Sequence, residues 1–283
     1  MSKERHDRQI RFFMKEGQDR LSTTRVAIVG VGGLGSHVVQ QLAFLGVGDM
    51  TVIDQDVTDI TNLNRLIGAH HNDHLSNLPK VAVMERMVGE IDPAIKITGI
   101  EKSLISKEGF DAVKNADYVF GCVDNDGPRI VLTELCSAYE RPYFDLASEI
   151  ILDSKLYYGG RVCFSNAGQG CLACLDEISS DEVGEYFMSK ESRDDRRKLY
   201  GLPVEEQQDS GPSVVTLNGV VASLATTEFM VQVTGIRQAR RFVKYHGHNS
   251  KVTVATDEPK ADCYYCKCVY GMGQKASVER YLS

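Results

Sequence analysis

The sequence predicts an α/β protein built on a doubly wound, mainly parallel sheet. Three observations carry this. Short β-branched runs alternate with helix-like stretches from residue 25 to residue 147. A G-x-G-x-x-G turn stands between the first such run and the first helical stretch. An acidic residue closes the second run. Strand, glycine turn, helix, strand and acid, in that order, make a Rossmann-like dinucleotide-binding βαβ unit.

Residues 5–21 read as an amphipathic helical arm over the sheet edge, with Arg8 and Arg11 one turn apart. Residues 26–29 (VAIV) read as a buried strand. Gly30, Gly32 and Gly35 supply the motif, and Gly33 is a further glycine beside them. Lacking a Cβ, they let backbone N–H groups approach a phosphate, and the helix that follows adds positive potential at its N-terminus. Val38, Val39, Leu42, Ala43 and Leu45 have the spacing of a helix laid on a sheet. Residues 50–53 form the second strand, and Asp54 follows nineteen residues after Gly35, where a carboxylate meets a ribose hydroxyl. NAD, FAD and ATP all fit such a unit, so it predicts a nucleotide without choosing one.

After Asp54, the residues Asp56, Asn62, Asn64 and Arg65 crowd into a polar, turn-rich stretch. They suit phosphate or metal, or equally a solvated loop. His70 and His74 have the i, i+4 spacing of a metal pair, but Asn72, Asn77 and the lack of helical periodicity favour a loop. Lys80 opens a helix over 80–91, as a surface charge or as a point-charge phosphate ligand. Residues 95–100 read as the third strand, 110–115 as a short helix, and 118–123 as the fourth strand, ending in Asp124, Asn125 and Asp126. Carboxylates just past a parallel strand lie where α/β sheets bind ligands, so Asp124 is placed to hold Mg²⁺ on a triphosphate. A helix over 129–139, carrying Arg129, and a strand over 142–147 complete this half.

Beyond it the pattern changes. Residues 155–164 read as a strand with a glycine bend. Residues 176–212 are charged and loop-like, with KESRDDRRK as a solvated segment. Residues 214–234 form a long apolar helix, residues 237–244 are basic, and 252–255 form a strand. The helix carries Asn218, Glu228 and Gln232 and so reads as buried in protein, not in a membrane.

The chain has 283 residues, 42% hydrophobic and 25% charged, with a formal net charge of −7. That balance suits a globular protein and argues against nucleic acid or an anionic membrane as partner. The first residues, MSKERHDRQIRFF, have no apolar core of signal-peptide length, so a cytoplasmic location and reduced cysteines are expected. There are eight cysteines. Cys171 with Cys174 and Cys263 with Cys266 make two C-x-x-C pairs, 88 residues apart, which predict a four-cysteine site for structural Zn²⁺: a clasp where the chain folds back on its middle. Disulfides or free buried thiols are the alternatives. Cys268 is a spare, and Cys122, Cys136 and Cys163 sit in apolar surroundings as core residues.

With these residues in hand, the chain resembles the ThiF/MoeB/HesA family, bacterial relatives of ubiquitin-activating enzymes. The resemblance rests on Arg8-Gln9, GVGGLGS, VIDQD at 52–56, NLNR at 62–65, PKV at 79–81, the segment from Val123 to Arg129, and both C-x-x-C pairs, in order along almost the whole chain. It implies a single adenylation domain over 1–283: a helical arm over 1–24, a nucleotide-binding half over 25–150, and an acceptor-binding and zinc half over 151–283. It implies a sheet extended by antiparallel strands, a homodimer, and ATP-dependent adenylation of the C-terminal glycine carboxylate of a ubiquitin-like protein, for conjugation or sulfur transfer. A conjugating-enzyme-like or sulfur-carrier partner would act with it. On this sequence the glycine loop would face the phosphates and Asp54 the ribose. Asn62, Arg65 and Lys80 would hold the triphosphate and Asp124 the Mg²⁺, and Arg8 would reach in from the partner subunit. One departure is plain: many members carry a thioester-forming cysteine before the long helix, and residues 176–213 contain none. The adenylate is then released, or passed to a cysteine elsewhere or on a partner. The alternatives are an NAD-dependent oxidoreductase, an adenylating enzyme acting on a peptide, and a noncatalytic scaffold.

Overall fold

The computed structural model describes residues 5–152, 156–189, 211–256 and 258–282. Lys155, the KESRDDRRK stretch and residues 205–210 ahead of the long helix lie outside them. Eight strands form one sheet: β1 (Arg25–Val29), β2 (Asp49–Ile53), β3 (Lys96–Ile100), β4 (Tyr118–Gly121), β5 (Tyr143–Leu152), β6 (Leu156–Ser165), β7 (Phe242–His246) and β8 (Lys251–Val254). Their order is β3-β2-β1-β4-β5-β6-β7-β8. The first five are parallel, and β6, β7 and β8 extend the sheet antiparallel.

The parallel half is buried on both faces, which is why its strands read as continuous apolar runs. Val26 and Ile28 join one core with α2 (Gly33–Leu45), α3 (Lys80–Ile91) and a long helix, α7 (Val215–Thr234). Ala27 and Val29 join the other with α4 (Lys107–Asn115) and α5 (Asp126–Ala138). Phe120, Phe144 and Phe164 stack at 5.1 and 4.3 Å between ring centroids, and Phe229 of α7 meets Phe120 and Phe144 edge-on. No helix among the described residues is long and apolar enough to cross a membrane. Glu228 of α7 is held by Arg237 at 2.6 Å and by the Arg240 N–H.

Two elements differ from the sequence reading. The basic stretch 237–244 continues into β7, whose FVKYH has strand propensity and registers Val243 against Val162. The charged run before it masked that signal. Residues 180–187 are not loop but helix α6 (Ser180–Phe187), capped by the Ser179 side chain with Glu182 three residues on. The arm, α1 (Asp7–Thr23), also lies elsewhere than expected. It packs on the helical layer, not on the sheet edge: Gln18 donates to the Leu45 carbonyl and Arg20 to that of Thr234.

The loop carrying His70 and His74 is built around a carboxylate. Asp73, nearly buried, accepts two bonds from Arg86 of α3 at 2.8 and 2.7 Å and one from the His70 N–H at 2.6 Å. The Arg86 guanidinium draws the Asp73 carboxyl down to about 2. Because the folded value lies below the unfolded one, this contribution is present above pH ~4 and fades as pH falls toward 2. Asp73→Asn should therefore cost on the order of 2 kcal/mol in urea unfolding at pH 7 and progressively less toward pH 2. An equal cost at both pH values would contradict the assignment.

At the other end of the chain, Glu134 of α5 is fully buried and holds Arg280 at 2.7 Å and Tyr281 at 2.8 Å, with the Tyr264 hydroxyl at 3.3 Å. A buried carboxylate is tolerated when charge and hydrogen bonds surround it this closely. Residues 264–281 are thereby fastened to the back of α5.

Candidate active site

The winding reverses between β1 and β4, the place where parallel α/β sheets open a crevice beyond their C-terminal strand ends. An open cleft of ≈ 870 Å³ lies there. It is lined by Gly30, Gly32, Gly33, Asp54, Asn62, Arg65, Lys80 and Asp124 together, so residues far apart in the sequence meet at one site. Gly35 and Arg8 are absent from its lining.

The glycines divide their work. Gly30 leaves β1 at φ +82°, and a Cβ there would stand 2.8 Å from the Cys122 carbonyl oxygen. Gly35 lets α2 press on that turn, where a Cβ would come within 1.9 Å of the Gly30 oxygen. Its role is packing behind the cleft. Gly32 has open space where its side chain would be, so a ligand can come up to the backbone.

Asp54 accepts from the Val31 N–H at 2.8 Å and from the Asp56 N–H at 2.9 Å, which fixes it across the glycine turn. Burial raises its pKa, while the Lys80 charge and the two N–H groups oppose the rise. Lys80 pairs with Asp56 at 2.7 Å, and Lys102 with Glu108. The Asn62 side-chain oxygen caps its own turn from the Asp59 N–H. Among the described residues, Arg65 is bonded only to neutral oxygens, of Thr61 at 2.5 Å and Asn64 at 3.1 Å. Among the described cations lining the cleft, it alone has no ion pair.

The three acidic and amide residues after β4 do three different things. Asn125 caps α5 through the Gly127 N–H. Asp126 is buried, pairs with Arg129 at 2.8 Å and accepts from the Ser179 N–H at 2.7 Å. Asp124 alone is exposed in the cleft, with no partner among the described residues. Beneath them lies a network that sequence reasoning missed. Asp145, fully buried on β5, takes hydrogen bonds from Tyr143 at 2.8 Å and Arg161 at 2.6 Å, with Arg129 at 3.5 Å. Burial pulls the Arg129 pKa down, but Asp145 and Asp126 outweigh it and keep the guanidinium charged. Tyr186 of α6 lies on Gly127, where a Cβ would stand 2.1 Å from the ring, and so adds an aromatic wall. Asn218, which does stand out as a polar residue early in an apolar helix, also reaches the cleft.

Arg8 is exposed on α1 without an ion pair among the described residues, whereas Arg11 pairs with Asp7. Away from the cleft, Cys171, Cys174, Cys263 and Cys266 are buried with all four sulfurs within 4.8 Å of one another. Cys171 and Cys263 are 3.7 Å apart, Cys174 and Cys266 3.5 Å. Four thiolates around Zn²⁺ at about 2.3 Å would stand about 3.8 Å apart, so the cluster fits a tetrahedral ion and is too open for disulfides. Cys268 is the one exposed cysteine. Cys122, Cys136 and Cys163 are buried, and burial pushes the Cys163 thiol up to about 12 and the other two higher.

With this geometry set out, comparison with known proteins is direct. The ThiF family model matches residues 6–267, and the chain belongs to that family. The chain is 32% identical to the sulfur carrier protein ThiS adenylyltransferase of Escherichia coli K12, over 56% of this chain and 61% of that protein. It is 33% identical to the molybdopterin-synthase adenylyltransferase of the same organism, over 63% and 70%. The chain thus spans less than two thirds of the first of these relatives. The fold matches crystal structures of E. coli MccB, one with MccA-N7isoASN at a TM-score of 0.73 and 20% identity, over 94% of this chain and 75% of that one. PaaA matches at 0.65 and 16%, over 91% and 73%. These last two likenesses concern the fold alone.

Proposed function

We propose that the protein is an ATP-dependent adenylyltransferase that activates the C-terminal glycine carboxylate of a ubiquitin-like protein. The observation that carries this is one cleft joining an open glycine turn, a fixed Asp54, and an Arg65 and an Asp124 that have no ion pair among the described residues. Membership of the ThiF family and relatives named as adenylyltransferases support it. An acceptor carboxylate oxygen attacks the α-phosphorus, the bond from that phosphorus to the bridging oxygen breaks, and pyrophosphate leaves with the electron pair. The nucleophile is already ionised, so no general base is needed. The barrier lies in bringing two anions together, and fixed positive charge lowers it. Gly30, Gly32 and Gly33 would receive the phosphates on backbone N–H groups, Asp54 the ribose, and Asn62, Arg65 and Lys80 the triphosphate. Asp124 would hold Mg²⁺, which screens the phosphates when bound. The hydride-transfer alternative gives no reason for Arg65, Lys80 and Asp124 to converge.

The cleft's own cations are mostly spent on its own carboxylates, so a triphosphate calls for charge from outside. Arg8, exposed and unpaired among the described residues, supplies it across a homodimer interface in this reading. Buried, with raised pKa values, Cys122, Cys136 and Cys163 make poor acyl acceptors, which leaves Cys268 as the exposed cysteine of this chain. Release of the adenylate, or transfer to a partner's thiol, fits better than a thioester on a core cysteine, and Cys268 is the acceptor this chain itself could offer.

Exchange of labelled pyrophosphate into ATP tests the reading, with small proteins ending in Gly-Gly and short peptides offered in parallel. Exchange with the proteins is expected. Exchange only with peptides would move the substrate class to peptides, and exchange with neither would remove the proposed activity. Zinc is tested separately. The protein purified without chelator should carry about one Zn²⁺ per chain on Cys171, Cys174, Cys263 and Cys266. Cys171→Ser should lower the Tm while leaving MgATP affinity near wild type, and metal-free protein of unchanged Tm would refute the site.

A further inference from the structure

Asn218 occupies a singular place in the cleft. It is 1% exposed, in the first turn of a helix whose other inward residues are Val221, Ala222, Ala225 and Phe229. Its oxygen accepts from the Ser148 hydroxyl of β5 at 2.8 Å, and its nitrogen donates to the Ser213 hydroxyl at 3.0 Å. A Cβ on Gly33 would stand 2.4 Å from that nitrogen and 3.3 Å from the Arg65 side chain. The carboxamide therefore bridges two sides of one cleft: the glycine turn with Arg65, and the β5–β6 wall where Ser148 and Gly160 line it. A buried amide has two N–H groups to satisfy, and Ser213 uses one. Among the described residues nothing takes the second.

Resting on the adenylation reading, we propose that the Asn218 side-chain N–H binds the acceptor's terminal carboxyl group and holds it in line with the α-phosphate. The chemistry suits a neutral donor. A lysine or arginine here would stabilise the free carboxylate and blunt its attack, whereas an amide fixes its position and keeps its charge available. The two serines hold the amide plane, so little entropy is lost on binding.

The test uses two small molecules and the whole protein. One is 5′-O-(N-glycyl)sulfamoyladenosine, a stable mimic of a glycyl adenylate; the other is 5′-O-sulfamoyladenosine, which lacks the acyl group. Their affinity ratio reports on the glycyl group, because the nucleoside part cancels, and the Asn218 variants show what share of it depends on the amide. In wild type the glycyl compound should bind more tightly, and Asn218→Ala should reduce that ratio roughly tenfold. Asn218→Asp is the sharper variant. A carboxylate of the same shape still accepts from the Ser148 hydroxyl, and from Ser213 once that hydroxyl turns its proton toward it, so the side-chain shape is kept while the donor is lost. Its ratio should fall at least as far as that of Asn218→Ala, read on protein whose circular dichroism shows the wild-type fold at the assay temperature. Retention of the wild-type ratio in both variants would overturn the proposal. A wild-type protein that binds both nucleosides yet does not distinguish them would instead overturn the adenylation reading on which it stands.

Discussion

Asp124→Ala should lower pyrophosphate exchange by roughly a hundredfold or more while the protein stays folded. The reason is the division of labour after β4. Asn125 and Asp126 hold the local structure, through the Gly127 N–H and through Arg129 and Ser179. Asp124 holds nothing among the described residues and stands exposed in the cleft. Its loss therefore leaves packing intact and removes the one cleft carboxylate free to bind a cation at this strand end. ATP affinity separates the effects. Wild type should bind ATP more tightly with Mg²⁺ than without, and Asp124→Ala should lose most of that difference. Unchanged exchange in the variant would remove Asp124 from the mechanism. Asp126→Ala serves as the contrast, since it should lower the Tm by breaking a buried pair.

The second large effect concerns Arg8. Arg8→Ala and Asp124→Ala should each be inactive alone, yet recover when mixed and allowed to exchange subunits. Each mixed dimer would carry one site with an intact pocket and an intact arginine, and one site with neither. Random mixing makes about half the dimers mixed, so activity should return to roughly a quarter of wild type. The motivation is the charge balance of the cleft, where Arg65 is the single unpaired cation among the described residues, together with the exposure of Arg8 on α1, outside its own chain's cleft. A mixture as inactive as its parents, with subunit exchange verified by mass, would place Arg8 in cis or outside the reaction.

What the sequence made legible follows a physical rule. Features defined by short-range spacing were readable: the glycine turn, the acid closing β2, the helix opened by Lys80, and the two C-x-x-C pairs, because each is specified within a few residues. The position of Asp124 in the cleft was readable because strand ends in parallel sheets are ligand ends. The Asp145–Arg161–Arg129 network was not, since its members are joined by strand pairing that places Asp145 opposite Cys163 and so brings Arg161 close. Strand β7 was hidden by the arginines before it, although FVKYH alternates as a strand should. Helix α6 had a local signal, serine followed by glutamate three residues on, and it was outweighed by charge composition. Gly35 belongs to the motif by spacing but to the packing by position, a distinction only the approach of α2 to Gly30 makes visible.

The Glu134 clamp bears on how the molecule is made. During synthesis β1 to β5 emerge first and can pair, and α5 is already in place between β4 and β5. Its Glu134, destined for complete burial, then waits for a guanidinium 146 residues downstream, at Arg280. Until that arrives the carboxylate must stay hydrated, and the back of α5 cannot close. Closure of this face thus couples a residue of the nucleotide-binding half to residues 264–281, so Glu134→Gln should loosen that segment and raise its hydrogen exchange.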